Sequence, residues 1–152
     1  MTLSVLFVCN QNSVRSPMAE ILLREAARQA TGADAKGEAR AIVSVSAGVY
    51  EGAPDPFLPT VLEEVGAPAP SCAPQDLDAV DLSAFDVFVA LTPEAEAALK
   101  EKAPADRVEF WETENPSLTR GSRDQILDGY RRVRDALAER IAARFASNLA
   151  RP

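Results

Sequence analysis

A thiol, a guanidinium and a hydroxyl stand close together near the amino terminus. Cys9, Asn10, Gln11, Asn12, Ser13, Val14, Arg15 and Ser16 follow one another, so five residues separate the thiol from the guanidinium and a serine comes next. A loop of this length curls so that several backbone N–H groups point inward as a nest for an anion. Arg15 adds a planar, permanent cation suited to a tetrahedral oxyanion. The thiolate is the nucleophilic form of cysteine, and positive surroundings favour it. Ser16 is placed to hydrogen-bond the sulfur. Asn12 is suited to hold the loop through its amide and to take a left-handed backbone. The chemistry suggested is binding of phosphate or a similar oxyanion by residues 10–16, with Cys9 as nucleophile. A lone cysteine at a strand end is otherwise a small buried hydrophobe, and the spacing alone is a weak pattern. Its flanks decide the matter.

The elements that must position this loop are legible on either side of it. Residues 3–8 (LSVLFV) form an apolar, β-favouring run that reads as a buried parallel strand. Pro17 then suits the first turn of a helix, along which Met18, Ile21, Leu22 and Ala26 share one face. Glu20, Arg24 and Arg28 share another face, which reads as solvated. This helix is expected to fade near Thr31 and Gly32, with a surface connection over 33–40. Residues 41–47 (AIVSVSA) read as a second strand, 48–56 as turns, 57–65 as a helix closed by Gly66, and 67–74 as irregular. A third strand is expected over 85–91 and a helix from the Thr92 N-cap to about Lys102. A fourth strand should cover 108–111 and a loop 112–121. A last helix starts near Ser122 with Ile126, Tyr130, Val133, Leu137, Ile141 and Phe145 as its apolar stripe and solvated charges elsewhere. Strands alternating with helices imply an α/β fold, a parallel sheet covered on both faces.

Bulk properties bound the function. The 152 residues, 47 % hydrophobic and 26 % charged, fit one domain over 1–152 with one core. No apolar run approaches the roughly 20 residues of a membrane span, and the first residues do not read as a signal peptide. Two distant cysteines, Cys9 and Cys72, make no disulfide framework, which points to a reducing cytoplasm. The absence of histidine excludes Cys-His and Ser-His catalysis and histidine-ligated metals. No metal or other cofactor is expected. A net charge of −7 argues against nucleic-acid or anionic-membrane partners. An anion site here must be local.

The stretch LFVCNQNSVRSPMAE resembles the amino-terminal signature of the low-molecular-weight protein tyrosine phosphatase superfamily, which includes arsenate-reductase relatives. Val45-Ser46-Ala47-Gly48 resembles that family's Ser-Ala-Gly turn, Phe85-Asp86-Val87 its third strand, and 111–121 its late acid-bearing loop. The resemblance implies a flavodoxin-like three-layer fold, with a central four-stranded parallel sheet and helices on both faces. It implies a hydrolase of phosphorylated proteins or small aryl phosphates, acting through a phosphocysteine. Cys9 would attack phosphorus while Arg15 and the loop amides hold the equatorial oxygens. Tyr50 would stand where relatives place an aromatic wall; its alternative is a half-buried packing role.

The sequence departs from the family at two points. Relatives carry Asp-Pro in the late loop, where the aspartate protonates the leaving group; here Asn115 precedes Pro116. An amide cannot supply a proton, and general acid catalysis is worth about 10²–10⁴. Glu112 or Glu114 would have to substitute, although both read first as solvated loop charges. The alternatives are a phosphate- or phosphoprotein-binding module without turnover, and an introduced change. Arsenate reduction linked to thioredoxin needs two further cysteines, and only Cys72 is present, so that activity would call on an external thiol such as glutathione or mycothiol.

Overall fold

The computed structural model describes residues 2–31 and 41–149. Its centre is a sheet of four parallel strands, β1 (Thr2–Cys9), β2 (Ala41–Gly48), β3 (Val87–Ala90) and β4 (Val108–Phe110), in the order β2-β1-β3-β4. Five helices accompany it: α1 (Arg15–Thr31), α2 (Leu58–Glu63), α3 (Pro93–Lys102), α4 (Arg123–Arg144) and α5 (Ala146–Leu149). The expected connection over 33–40 lies outside the described residues. No helix among the described residues is long and apolar enough to cross a membrane.

The alternation of side chains along β1 builds the layers. Val5, Phe7 and Cys9 enter one core with residues of α1, α2 and α4, whereas Leu6 and Val8 enter another with Ala95 and Leu99 of α3. Because both faces are covered, β1 is apolar on both and reads as a continuous run. Its register puts Cys9 opposite Gly48 at the carboxyl edge of the sheet. The next strands in the chain fall on opposite sides of β1, so the loop after β1 sits at a switch point where α/β sheets bind ligands.

Several boundaries move, each for a local reason. Helix α1 begins at Arg15, so Arg15 and Ser16 belong to its first turn. The third strand shortens to four residues, because Phe85 N–H closes a 3-10 turn on Leu82 O, while Asp86 binds Ser4 through both its N–H and its carboxylate. Helix α2 is shorter than expected. Its end is closed by Gly66 at φ +73°, with Gly66 N–H on Glu63 O and Ala67 N–H on Leu62 O. Helix α4 starts at a reciprocal capping box between Ser122 and Gln125. The solvated reading holds for Arg123, Asp124, Asp128, Arg132, Asp135 and Glu139, which are exposed, but not for Arg131. Arg131 donates to both carboxylate oxygens of Glu64, and Arg134, 9 % exposed, donates to Glu64, Asp135 and Val61 O. Together these bonds clamp α4 to α2.

The Glu64 carboxyl is pulled from an ordinary value of 4.5 to about 2, first by the Arg131 hydrogen bond and then by that of Arg134. A depressed folded-state value stabilises the protein above the unfolded value, and that stability is lost as pH falls from about 4.5 toward 2. Glu64 is one-third exposed, so solvent screens much of the effect. Glu64→Gln should therefore lower stability at neutral pH by about 1 kcal/mol. It should also flatten the acid dependence between those values, as read by urea unfolding followed through the single tryptophan, Trp111.

Candidate active site

The loop after β1 is held by one side chain whose backbone is left-handed. Asn12 has φ 54°, and it is the one non-glycine residue with positive φ among those described. Its Oδ1 accepts the Gln75 N–H at 2.9 Å, which fixes the orientation of the amide. Its Nδ2 then donates to Ser16 Oγ and to Ser46 Oγ, both at 2.9 Å. Ser46 Oγ in turn donates a hydrogen bond to Glu20 Oε1 at 2.5 Å. Glu20 also pairs with Arg24, so this carboxylate is part of the loop's support rather than a merely solvated charge.

The same chain of bonds ends at the sulfur. Cys9 Sγ lies 3.0 Å from Ser16 Oγ, and Cys9 is 2 % exposed. Ser16 Oγ already accepts from Asn12 and has Ala47 O at 3.3 Å as its other acceptor. When Cys9 carries its proton, Ser16 donates to Ala47; when Cys9 is a thiolate, the hydroxyl turns to the sulfur. Such a charge-assisted bond is about twice as strong as a neutral one.

Neighbouring segments lock the rest of the loop. Asn10 Oδ1 accepts from Thr92 Oγ1 at 2.7 Å, while Thr92 accepts the Ala95 N–H as the N-cap of α3. Asn10 O accepts the Tyr50 N–H, and Cys9 O the Val49 N–H. A Cβ on Gly48 would lie 2.8 Å from Asn12 N, and one on Gly52 2.4 Å from Gln11 O, so both glycines permit a backbone approach that other residues would block.

A cleft of about 330 Å³ opens over the loop. Cys9, Asn10, Gln11, Ser13, Val14 and Arg15 line its floor, with Asp55 and Asn115 among the residues of its walls. Arg15 Nη1 donates to Thr113 O at 3.1 Å, which ties the guanidinium to the late loop. The structure thus brings Cys9, Arg15 and Asn115 to one cleft. It places the buried side chains of Asn12 and Ser16 behind the loop, as supports. Tyr50 is 57 % exposed and is not among the residues that line the cleft.

Asn115 is an amide cap. Its Oδ1 accepts from Ser117 N–H at 3.0 Å and Ser117 Oγ–H at 2.7 Å, closing a 3-10 turn over Pro116–Leu118. Glu112 and Glu114 line a separate hollow with Arg132 and Arg140, and Glu114 pairs loosely with Arg132. The one carboxylate lining the Cys9 cleft among the described residues is Asp55, whose Oδ1 accepts from Phe57 and Leu58 N–H and whose Oδ2 accepts from Tyr130 at 2.7 Å. Burial, and then Asp55, push the Tyr130 phenol above its ordinary value. Cys72 is exposed and free in a larger apolar hollow of about 460 Å³ that shares Ser13, Pro54 and Asp55 with the Cys9 cleft.

Sequence reasoning missed Ser46, Gln75, Thr92 as a loop partner, and Asp55. Ser44 and Ser46 alternate with valines, and both are buried; small polar residues at strand spacing were the available signal. Asp55 before a proline and a helix start carried an N-cap signal. Gln75 acts through its backbone N–H, which no side-chain pattern announces.

The family model described as low molecular weight phosphotyrosine protein phosphatase matches residues 4–151. No curated protein matches. Among solved structures, a low molecular weight protein tyrosine phosphatase from T. tengcongensis is 24 % identical, with a TM-score of 0.77 and coverage of 95 % of this chain and 99 % of that one. A low molecular weight phosphotyrosine phosphatase from Vibrio cholerae O395 is 26 % identical (TM-score 0.72, 95 % of each chain). An arsenate reductase from Archaeoglobus fulgidus is 29 % identical (TM-score 0.68, 93 % and 98 %).

Ser16→Ala removes the hydroxyl that faces the sulfur and leaves the Asn12 amide one acceptor short. A hydrogen bond to a charged group is worth about 1.5–3 kcal/mol. Alkylation of Cys9 by iodoacetamide at neutral pH should therefore slow about tenfold or more. Unchanged alkylation would show that Ser16 does not stabilise the thiolate.

Proposed function

Because the chain belongs to the low molecular weight phosphotyrosine protein phosphatase family, we propose that it is a cysteine-dependent phosphomonoesterase acting on phosphorylated proteins or small aryl phosphates. The observation that carries this reading is the Cys9 sulfur at the carboxyl edge of β1, 3.0 Å from a hydroxyl whose lone pair is occupied by Asn12, in a cleft shared with Arg15.

In the proposed mechanism, the backbone N–H groups of residues 10–15 and the Arg15 guanidinium hold the three non-bridging phosphate oxygens. Cys9 attacks phosphorus in line, so an S–P bond forms as the P–O bond to the leaving group breaks. The preorganised donors stabilise the charge that develops on those oxygens. Water then attacks the phosphocysteine, and sulfur departs with its electron pair toward the Ser16 hydroxyl. Asn115 stands where relatives hold their acid and supplies no proton, so the first step suffers with basic leaving groups. The reaction uses no metal, and a cytoplasmic setting would keep both thiols reduced.

A second reading, arsenate reduction, has the Archaeoglobus fulgidus reductase in its favour. Cys72 does not line the Cys9 cleft, so this reading calls on an external thiol. The amide at position 115 favours a third reading, phosphate binding without turnover.

Hydrolysis of para-nitrophenyl phosphate and of a phosphotyrosine peptide, measured side by side, separates these. The nitrophenyl ester should be cleaved, and Cys9→Ser should abolish its cleavage. The peptide should be cleaved slower by about 10²–10⁴, the worth of a general acid. Cleavage that persists in Cys9→Ser would overturn the phosphocysteine route. No cleavage of either ester would leave oxyanion binding or arsenate chemistry.

A further inference from the structure

Among the described residues, the cleft that holds the nucleophile offers no acid to protonate a leaving group. Asn115 is an amide whose oxygen is committed to Ser117. Both oxygens of Asp55 already face donors, two backbone N–H groups on one and the Tyr130 hydroxyl on the other. Glu112 and Glu114 lie in a different hollow, and the chain has no histidine. Ser13 and Ser117 bring only alcohols, each already donating to a neighbour.

Phosphoryl transfer passes through a loose transition state in which the bond to the leaving group is largely broken. Without an acid, the leaving group must carry that charge itself. A phenol like that of tyrosine has a pKa of about 10, and a carboxylic acid about 4. A carboxylate departs readily without an acid, whereas a phenolate or alkoxide departs far more slowly. Asn115 adds a matching feature: its Nδ2 has no protein partner among the described residues and remains available to donate to a departing oxygen.

Resting on the phosphatase reading above, we infer that the substrate class of this site is the acyl phosphates, mixed anhydrides of a carboxylic acid and phosphoric acid. Cys9 thiolate forms the S–P bond, and the P–O bond to the acyl group breaks. The carboxylate leaves with the electron pair, and no proton is needed. Water then forms the new P–O bond, sulfur recovers its pair as thiolate, and the proton of the water passes to solvent.

The test compares kcat/KM for acetyl phosphate and phenyl phosphate, corrected for spontaneous hydrolysis, with para-nitrophenyl phosphate alongside. The wild-type protein should favour acetyl phosphate by about 10³ or more, and Asn115→Asp should compress that ratio by about 10²–10⁴ by restoring an acid for the phenolate. In heavy-oxygen water the label should enter phosphate; label in acetate would mean attack at the carbonyl and would overturn the inference. A wild-type ratio within about tenfold, with the nitrophenyl ester still cleaved, would overturn the substrate class and leave the phosphatase reading standing. Failure on all three compounds would overturn both.

Discussion

The amide of Asn12 is the group on which the site depends. Its left-handed backbone turns the chain between β1 and α1, and its side chain binds three other elements at once: the Gln75 backbone, Ser46 on β2, and Ser16 on α1. No hydrophobic contact has this directionality. A polar network in a buried setting is strong when fully satisfied and costly when broken, and no buried side-chain polar atom among the described residues lacks a partner. The network therefore fixes the loop shape before any ligand arrives, which is the condition for electrostatic stabilisation without reorganisation.

The sheet explains why such precision is available there. Parallel strands buried on both faces have little freedom of register, and the pairing of β1 with β2 sets Cys9 opposite Gly48. The absence of a side chain at Gly48 lets the following turn pack its backbone against Gln11 and Asn12. Thr92 performs two functions at once, capping α3 and holding Asn10. Helices α1 and α3 thus both begin at the same edge of the sheet, and the candidate site lies where those ends meet. A local arrangement of donors of this kind can attract phosphate in a chain of net charge −7, because screening confines distant charges to roughly a 10 Å range at ordinary salt.

What was legible in the sequence was what is local. The strand-loop-helix unit, the left-handed tolerance of Asn12, the Thr92 cap and the closure at Gly66 all depend on neighbouring residues, and the fold order β2-β1-β3-β4 suits a resemblance that spans nearly the whole chain. What was hidden depends on distance. Glu20 looked solvated because its helical neighbours are charged, yet Ser46, 26 positions away, donates to it. Asp55 looked like a turn residue, yet Tyr130, 75 positions away, makes it a tie between the loop after β2 and α4. Arg131 looked like one more charge on a mixed helix, yet Glu64, 67 positions away, accepts from it. Periodicity reports which face an element presents; it does not report which polar residue of another element will meet that face.

Asn115 shows how chemistry and structure can part at one position. Aspartate and asparagine are nearly equivalent as caps, because each offers a carbonyl-type oxygen to the same N–H. The turn over Pro116–Leu118 needs only that oxygen. The amide therefore preserves the loop, and the loop in turn holds Arg15 through Thr113 O. What an amide lacks is an ionisable proton. In the proposed mechanism the oxyanion is held by the loop between β1 and α1, and neither binding nor attack requires such a proton. On that proposal, binding and nucleophilic attack are separable from protonation of the leaving group, and the chemistry left to the cleft is set by the leaving group's own acidity.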